Sequence, residues 1–313
     1  MSTRQSIYPM QNSSISIEYS EDASLTTEDT VDRKSCTREM FAEFLGTMIL
    51  VLVGDGVVCQ TVVSQGIEAK NAVKNQQHPD FTNMAGDWST ISFGYGIGLM
   101  LGLFVSAGVS GGHLNPAVSV AMCRHGRLPW KKLPFYVMAQ FAGAFVGAFI
   151  VYIGYYPGLA YLDNWEIGTA GIFATYPKDH EGLFAGFFDE IIGTFLLLLG
   201  IFAITDKANN EAEKGMKPLA IGLLLSGIAL SFGYNTGFAL NPARDFSPRL
   251  FTALAGWGFK VFTANNAYFW VPLFAPIVGG LLGAETYQYL IARHHPRTFE
   301  SSSDAQKDFD GGI

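Results

Sequence analysis

Six apolar runs, most of them near twenty residues long and poor in charge, limit what this chain can become. They fall at Met40–Val63, Thr90–Val109, Leu133–Tyr155, Leu183–Thr205, Leu219–Tyr234 and Trp270–Ala292, the fifth being the shortest. A helix needs about 20 such residues to cross about 30 Å of hydrocarbon at about 1.5 Å per residue. Inside lipid each backbone N–H and C=O needs an internal partner, so runs of this length select helices. Composition agrees: 15% of residues are charged, against about 25% in a soluble average. The expected fold is an all-α membrane protein with six transmembrane helices.

Charge gathers where the apolar runs stop. Residues 1–38 are polar and read as a flexible tail, residues 39–293 as the membrane domain, and residues 294–313 as a second tail. Too little apolar surface is present in the first tail to offset the entropy of ordering it. Arg33, Lys34 and Arg38 precede the first run; Arg124, Arg127, Lys131 and Lys132 follow the second; Lys207, Lys214 and Lys217 follow the fourth; Arg293 and Arg297 follow the sixth. The opposite side holds Lys70, Lys74, Lys178 and Lys260. The bias places both termini in the cytoplasm. Much of the net charge of −7 comes from Glu18–Asp32, and no basic block suggests nucleic acid. Cys36, Cys59 and Cys123 are too scattered for a metal site or a disulfide framework. The polar N-terminus offers no cleavable signal, so the first run is expected to direct insertion. A glycosylation sequon at Asn12-Ser13-Ser14 would lie unused on the cytoplasmic side.

Two near-identical words stand in the connections. His113–Ala117 reads HLNPA and Ala239–Ala243 reads ALNPA. The halves also share AEFLGT (Ala42–Thr47) with DEIIGT (Asp189–Thr194), and AQFAGAFVGA (Ala139–Ala148) with APIVGGLLGA (Ala275–Ala284). Each half, about 39–156 and 183–293, therefore reads run, run, NPA word, run, with an extracellular loop between them. Three crossings per half is an odd number, so the second copy is inverted, and inverted repeats place their site at the midplane.

Asn is a favoured N-cap and Pro loses nothing in a first helical turn. Asn115-Pro116-Ala117 and Asn241-Pro242-Ala243 therefore predict two re-entrant half-helices that meet N-terminus to N-terminus. Both dipoles then direct partial positive charge at one spot, which disfavours cations, protons included. The irregular backbone before each start, Gly111, Gly112, His113 and Leu114, then Gly237, Phe238, Ala239 and Leu240, is tolerated at membrane depth only beside a cavity or within protein. Its carbonyls form a ladder of acceptors, and the asparagine amides are donors.

Ionisable groups at this depth are functional by default. Arg244 is the one arginine expected inside the pore. Glu43 and Glu190, related by the repeat, are expected to accept hydrogen bonds from the loop N–H groups that lack helical partners. A proton relay through them is the alternative. His113 lies in the lining run, with pH gating as a further reading. Gly143 and Gly147, like Gly279 and Gly283, sit four apart and allow close helix crossing. Asp55 has no explanation at this level. No catalytic constellation and no cofactor motif is present, so the chain is not read as an enzyme.

Between about Met40 and Arg293 the chain resembles the aquaporin family, and within it the glycerol-conducting aquaglyceroporins. The resemblance rests on SGGHLNPAVS, GFALNPARDF, the repeated Glu-x-x-Gly-Thr word, TAGIFATYP (Thr169–Pro177) and AGWG (Ala255–Gly258). It implies a homotetramer, one pore per subunit, in what is expected to be the plasma membrane. It further implies a passive pathway for glycerol and water, extended here to urea and other small neutral solutes, that excludes ions. The resemblance places Arg244 at the narrowest constriction, with Phe238 as its aromatic wall. It places Ala229 where water-selective members carry histidine and glycerol channels usually carry glycine. Tyr95 falls where glycerol channels commonly carry Trp or Phe, a departure that adds a hydroxyl. Asp245 marks the glycerol branch and is expected to pin the loop and its arginine. The rivals are a water-selective channel, a proton- or ion-coupled transporter, and a junctional scaffold with an incidental pore.

Overall fold

A computed structural model of the chain describes residues 27–80, 82, 84–162 and 164–296, with side-chain environments from Ser35 onward. The chain divides into Met1–Ser35 and Cys36–Ile313, and the architecture below is that of the second unit. The two expected tails lie largely outside the described residues. The segment 27–38, read as tail, is helical.

The helices in chain order are α1 (Thr27–Asn75), α2 (Trp88–Ser110), α3 (Pro116–Arg124), α4 (Leu133–Leu162), α5 (Ile167–Ala170), α6 (Leu183–Thr205), α7 (Lys217–Thr236), α8 (Pro242–Thr252), α9 (Lys260–Ala267) and α10 (Val271–Leu290). Among the described residues six helices are long and apolar enough to cross a membrane. Two of them overrun the apolar runs. α1 continues past Val63 to Asn75, and α4 passes through Pro157 to Leu162. The overruns support each other: Lys70 Nζ donates to the Tyr161 carbonyl at 2.6 Å, and the Tyr161 hydroxyl donates to Asn71 Oδ1 at 3.1 Å. Hydropathy marks where lipid ends, and a polar helix extends beyond it wherever it finds polar partners.

The short helices start where Asn-Pro stands. Asn115 and Asn241 are extended N-caps, each accepting from its own helix through Oδ1, with Pro116 and Pro242 in the first turn. The preceding helices stop at glycines in the left-handed region, Gly111 (φ 89°) after α2 and Gly237 (φ 94°) after α7. A side chain is strained at such angles, which makes glycine the favoured helix stop.

Helix contacts follow the repeat. α2 packs on α7, α6 on α10, α3 on α10 and α4, and α8 on α4 and α10. The α2–α7 crossing is the closest join of the halves. A Cβ on Gly96 would lie 2.4 Å from the Gly222 carbonyl, and one on Gly222 would lie 2.6 Å from the Gly96 carbonyl. Gly143 and Gly147 seat the backbone of α1 at Phe44 and Met48, and Gly279 and Gly283 seat that of α6 at Ile191 and Phe195. Such backbone proximity replaces the hydrophobic drive that lipid does not supply.

Candidate functional site

A cavity of about 680 Å³ runs through the interior, from Thr205, Lys214 and Lys217 at one end to Tyr95, Phe238 and Arg244 at the other. Between these ends it passes Gly111, Gly112, His113, Leu114 and Asn115 of the first loop, and Ala239, Leu240 and Asn241 of the second. The lining also includes aliphatic side chains such as Leu50, Leu99, Leu197, Ile201 and Leu225. The lining therefore combines hydrogen-bonding groups with hydrocarbon.

The loops hold their part of the lining in an unusual backbone. Leu114 (φ 53°) and Leu240 (φ 51°), equivalent by the repeat, both adopt the left-handed region, as does Phe238 (φ 44°). Such angles persist only where surroundings over-determine them, and buried carboxylates supply that constraint. Glu43 accepts from the N–H of His113 (2.9 Å) and of Leu114 (2.7 Å), from the Ser110 hydroxyl (2.6 Å) and from Gln140 Nε2 (2.8 Å). Glu190 accepts from the N–H of Ala239 (2.9 Å) and of Leu240 (2.8 Å), and from the Thr236 hydroxyl (3.0 Å). Gln140 and Thr236 were not singled out from the sequence. The Glu43 word had a repeat partner to point to it, whereas Gln140 faces Pro276 in the alignment of halves. His113 lines the cavity, its Nδ1 3.1 Å from Ser119 Oγ and its ring 5.1 Å from that of Tyr136.

The asparagines reach across to each other's loop. Asn115 Nδ2 donates to the Leu240 carbonyl at 2.8 Å, and Asn241 Nδ2 donates to the Leu114 carbonyl at 2.8 Å. Two members of the carbonyl ladder therefore already carry one bond from the opposite half. An amide has two N–H donors and a carbonyl two lone pairs, so one of each remains for a solute. Pro116, Ala117, Pro242 and Ala243 are buried behind the asparagines, and Gly237 packs against Thr175.

At the far end Arg244 lies with its guanidinium carbon 4.6 Å from the centre of the Tyr95 ring. Tyr95 and Phe238 meet edge to face at 5.3 Å. Arg244 Nη1 donates to the Phe173 carbonyl at 3.1 Å, while its buried Nε has no protein partner. Phe173 belongs to the 169–177 segment, which Trp257 of the Ala255–Gly258 word ties down through the Thr169 hydroxyl at 3.0 Å.

Two expectations need revision here. Asp245 does not bond Arg244. It accepts from the backbone N–H and hydroxyl of Thr175 (2.7 and 2.6 Å) and pairs with Arg249 at 3.0 Å. Arg249, a second buried arginine, also donates to the carbonyls of Val261 (2.9 Å) and Thr175 (2.5 Å). So Asp245 does hold the loop, but through Thr175 and Arg249. Ala229 is fully buried, and its carbonyl accepts from the indole of Trp88 at 3.2 Å. The α7 residue that makes room for the aromatic wall is Gly233, where a Cβ would lie 2.6 Å from Phe238 and 2.8 Å from Trp88. Finally, the Tyr95 hydroxyl does not add polarity to the constriction, because it donates to the buried carboxylate of Asp55. Among the described residues no group of His, Cys, Asp or Glu is placed to hold a metal ion.

Comparison with known proteins fits this geometry. A family model described as major intrinsic protein matches residues 30–287. Aquaporin-9 of Homo sapiens is 46% identical over 270 residues, covering 84% of this chain and 86% of the relative. Aquaglyceroporin-2 of Rhizophagus irregularis is 46% identical over 260 residues, covering 81% and 77%. The X-ray structure of the aquaglyceroporin from Plasmodium falciparum superposes with a TM-score of 0.72 at 34% identity, covering 82% of this chain and 98% of that one.

Proposed function

Because the chain belongs to the major intrinsic protein family, we infer that it is a passive transmembrane channel for glycerol and water, and not an enzyme. The observation that carries this reading is the mixed lining of the cavity, loop backbone, Asn115, Asn241 and Arg244 together with aromatic and aliphatic side chains. Loop carbonyls, two asparagine amides and Arg244 replace a polyol's water, while Phe238, the Tyr95 ring and aliphatic side chains accept its carbon backbone. A purely polar pore would suit water and a purely apolar one would pass neither. Urea and other small neutral solutes fit the same lining.

Ions meet a different environment. Two helix N-termini converge at Asn115 and Asn241, and Arg244 adds a full positive charge at the constriction. These fields oppose cations and protons. Glu43 and Glu190 act as loop supports: each is buried and accepts two loop N–H groups, the role that their geometry favours over a proton relay. Asp245 supports the constriction through Thr175 and Arg249. Both termini lie in the cytoplasm by the Lys and Arg distribution, in the plasma membrane. Homotetramers would cover part of the outward apolar surface, which includes Phe41, Phe188 and Phe274.

Stopped-flow measurements on proteoliposomes test this, with water, glycerol and urea compared in one preparation. Glycerol permeability well above that of protein-free vesicles is the expected result. Water flux without glycerol flux would show a water-selective channel instead.

A further inference from the structure

Asp55 is the one fully buried acid of the described spans that the loops do not use. It sits in α1 with no exposed surface, and its two neighbours of consequence both belong to the constriction. One of its oxygens accepts from the Tyr95 hydroxyl. The same oxygen lies 4.0 Å from Arg244 Nη1. The preceding residue completes the seat: a Cβ on Gly54 would stand 2.3 Å from Tyr95 Cε1, so glycine is what lets the ring lie flat on α1. The ring is then caught between Phe238 at 5.3 Å and the Arg244 guanidinium at 4.6 Å.

We propose that Asp55 is a positioning residue of the constriction, fixing the Tyr95 ring and lying beside Arg244 as its counter-charge, so that it sets which solutes pass without touching them. The proposal rests on the placement of Tyr95 and Arg244 at the filter given above. Its physical basis is simple. A tyrosine swings about two side-chain torsions: a hydroxyl anchored at the far end of the ring stops the first, and because that oxygen lies on the axis of the second, Gly54, Phe238 and Arg244 packed around the ring hold its tilt. The carboxylate is the stronger kind of acceptor because it is charged. Only the ring is left to face the pore, so a tyrosine here presents an apolar wall like a phenylalanine, but with a fixed tilt. Arg244, whose Nη1 is otherwise held only by the Phe173 carbonyl, gains a second restraint from the same oxygen.

The test reads a permeability ratio, glycerol against a five-carbon polyol, which does not depend on how many channels fold. Wild type is compared with Asp55→Ala, Tyr95→Phe, the double variant, and Asp55→Asn, all in proteoliposomes. Asp55→Ala and Tyr95→Phe are each expected to shift the ratio by about threefold or more, the size of coupling seen between direct neighbours. The double variant is expected to shift it no further than the larger single change, because both remove one bond. Asp55→Asn keeps an oxygen for the Tyr95 hydroxyl and is expected to recover at least half of the shift. Additive single changes, or an Asp55→Ala ratio equal to wild type, would overturn the proposal. Tyr95→Trp and Arg244→Ala serve as the reference. If neither changes the ratio, the filter itself is misplaced; if they do and Asp55→Ala does not, only the role of Asp55 fails.

Discussion

Arg249 and Asp245 show what a buried charge requires at the scale of one residue. Neither is exposed, and together they bond Thr175 and the Val261 carbonyl. Breaking such a pair leaves an uncompensated charge, at a cost of about 3–5 kcal/mol. Arg249→Leu is therefore expected to lower the yield and thermal stability of folded protein, read by size-exclusion profile after heating. Asp245→Asn combined with Arg249→Met should recover part of the loss, since no lone charge remains. The pair went unread in the sequence, although Asp and Arg four apart on a helix are neighbours. What the sequence concealed was its direction. The arginine next to the second NPA word drew attention to itself, while Asp245 turned to the one a turn further on. Tyr95 and Asp55 were hidden for the same reason. They stand on different helices, 40 residues apart, and neither word repeats in the other half.

Among elements, glycine decides how near two helices come. A Cβ on Gly283 would lie 2.1 Å from the Phe195 carbonyl, and that atom is backbone and has no rotamer to yield. Gly283→Leu is expected to destabilise the α6–α10 contact by about 2 kcal/mol or more, measured as a lower unfolding temperature in detergent. The equivalent change at Gly168, which meets nothing within 4 Å, should be tolerated and serves as the control. Helix positions were the most readable part of the chain. The run Leu183–Thr205 coincides with α6 at both ends. The polar ends of α1 and α4 were not readable by hydropathy, because bonds between side chains and a distant backbone extend them.

For the whole molecule, the mixed lining of the passage implies motion down a gradient with no coupled reaction. Glycerol flux is expected to rise in proportion to its gradient over a wide range, and to be indifferent to an imposed pH difference. Light scattering from vesicles that also carry an entrapped pH indicator measures solute and proton movement together; saturation, or proton movement in step with solute, would mark a coupled transporter. The inverted architecture followed from the odd number of runs around each NPA word, and needed no side-chain geometry. The loop supports were legible in kind, since buried loop N–H groups demand acceptors and Glu43 and Glu190 were the acids at hand. Their further partners, Gln140 and Thr236, depended on packing.

The crossed bonds from Asn115 to Leu240 and from Asn241 to Leu114 have the form of an isologous contact, in which residue i meets j and j meets i. That is how two identical subunits join about a two-fold axis, here fused into one polypeptide. It also fixes an order of events during synthesis. The acceptor for Asn115 lies 125 residues downstream, so the first half-helix waits, with its amide unmatched, until the second loop has emerged. A chain that stops before Leu240 therefore lacks both crossed bonds, and the join between the loops closes only when the second half is made.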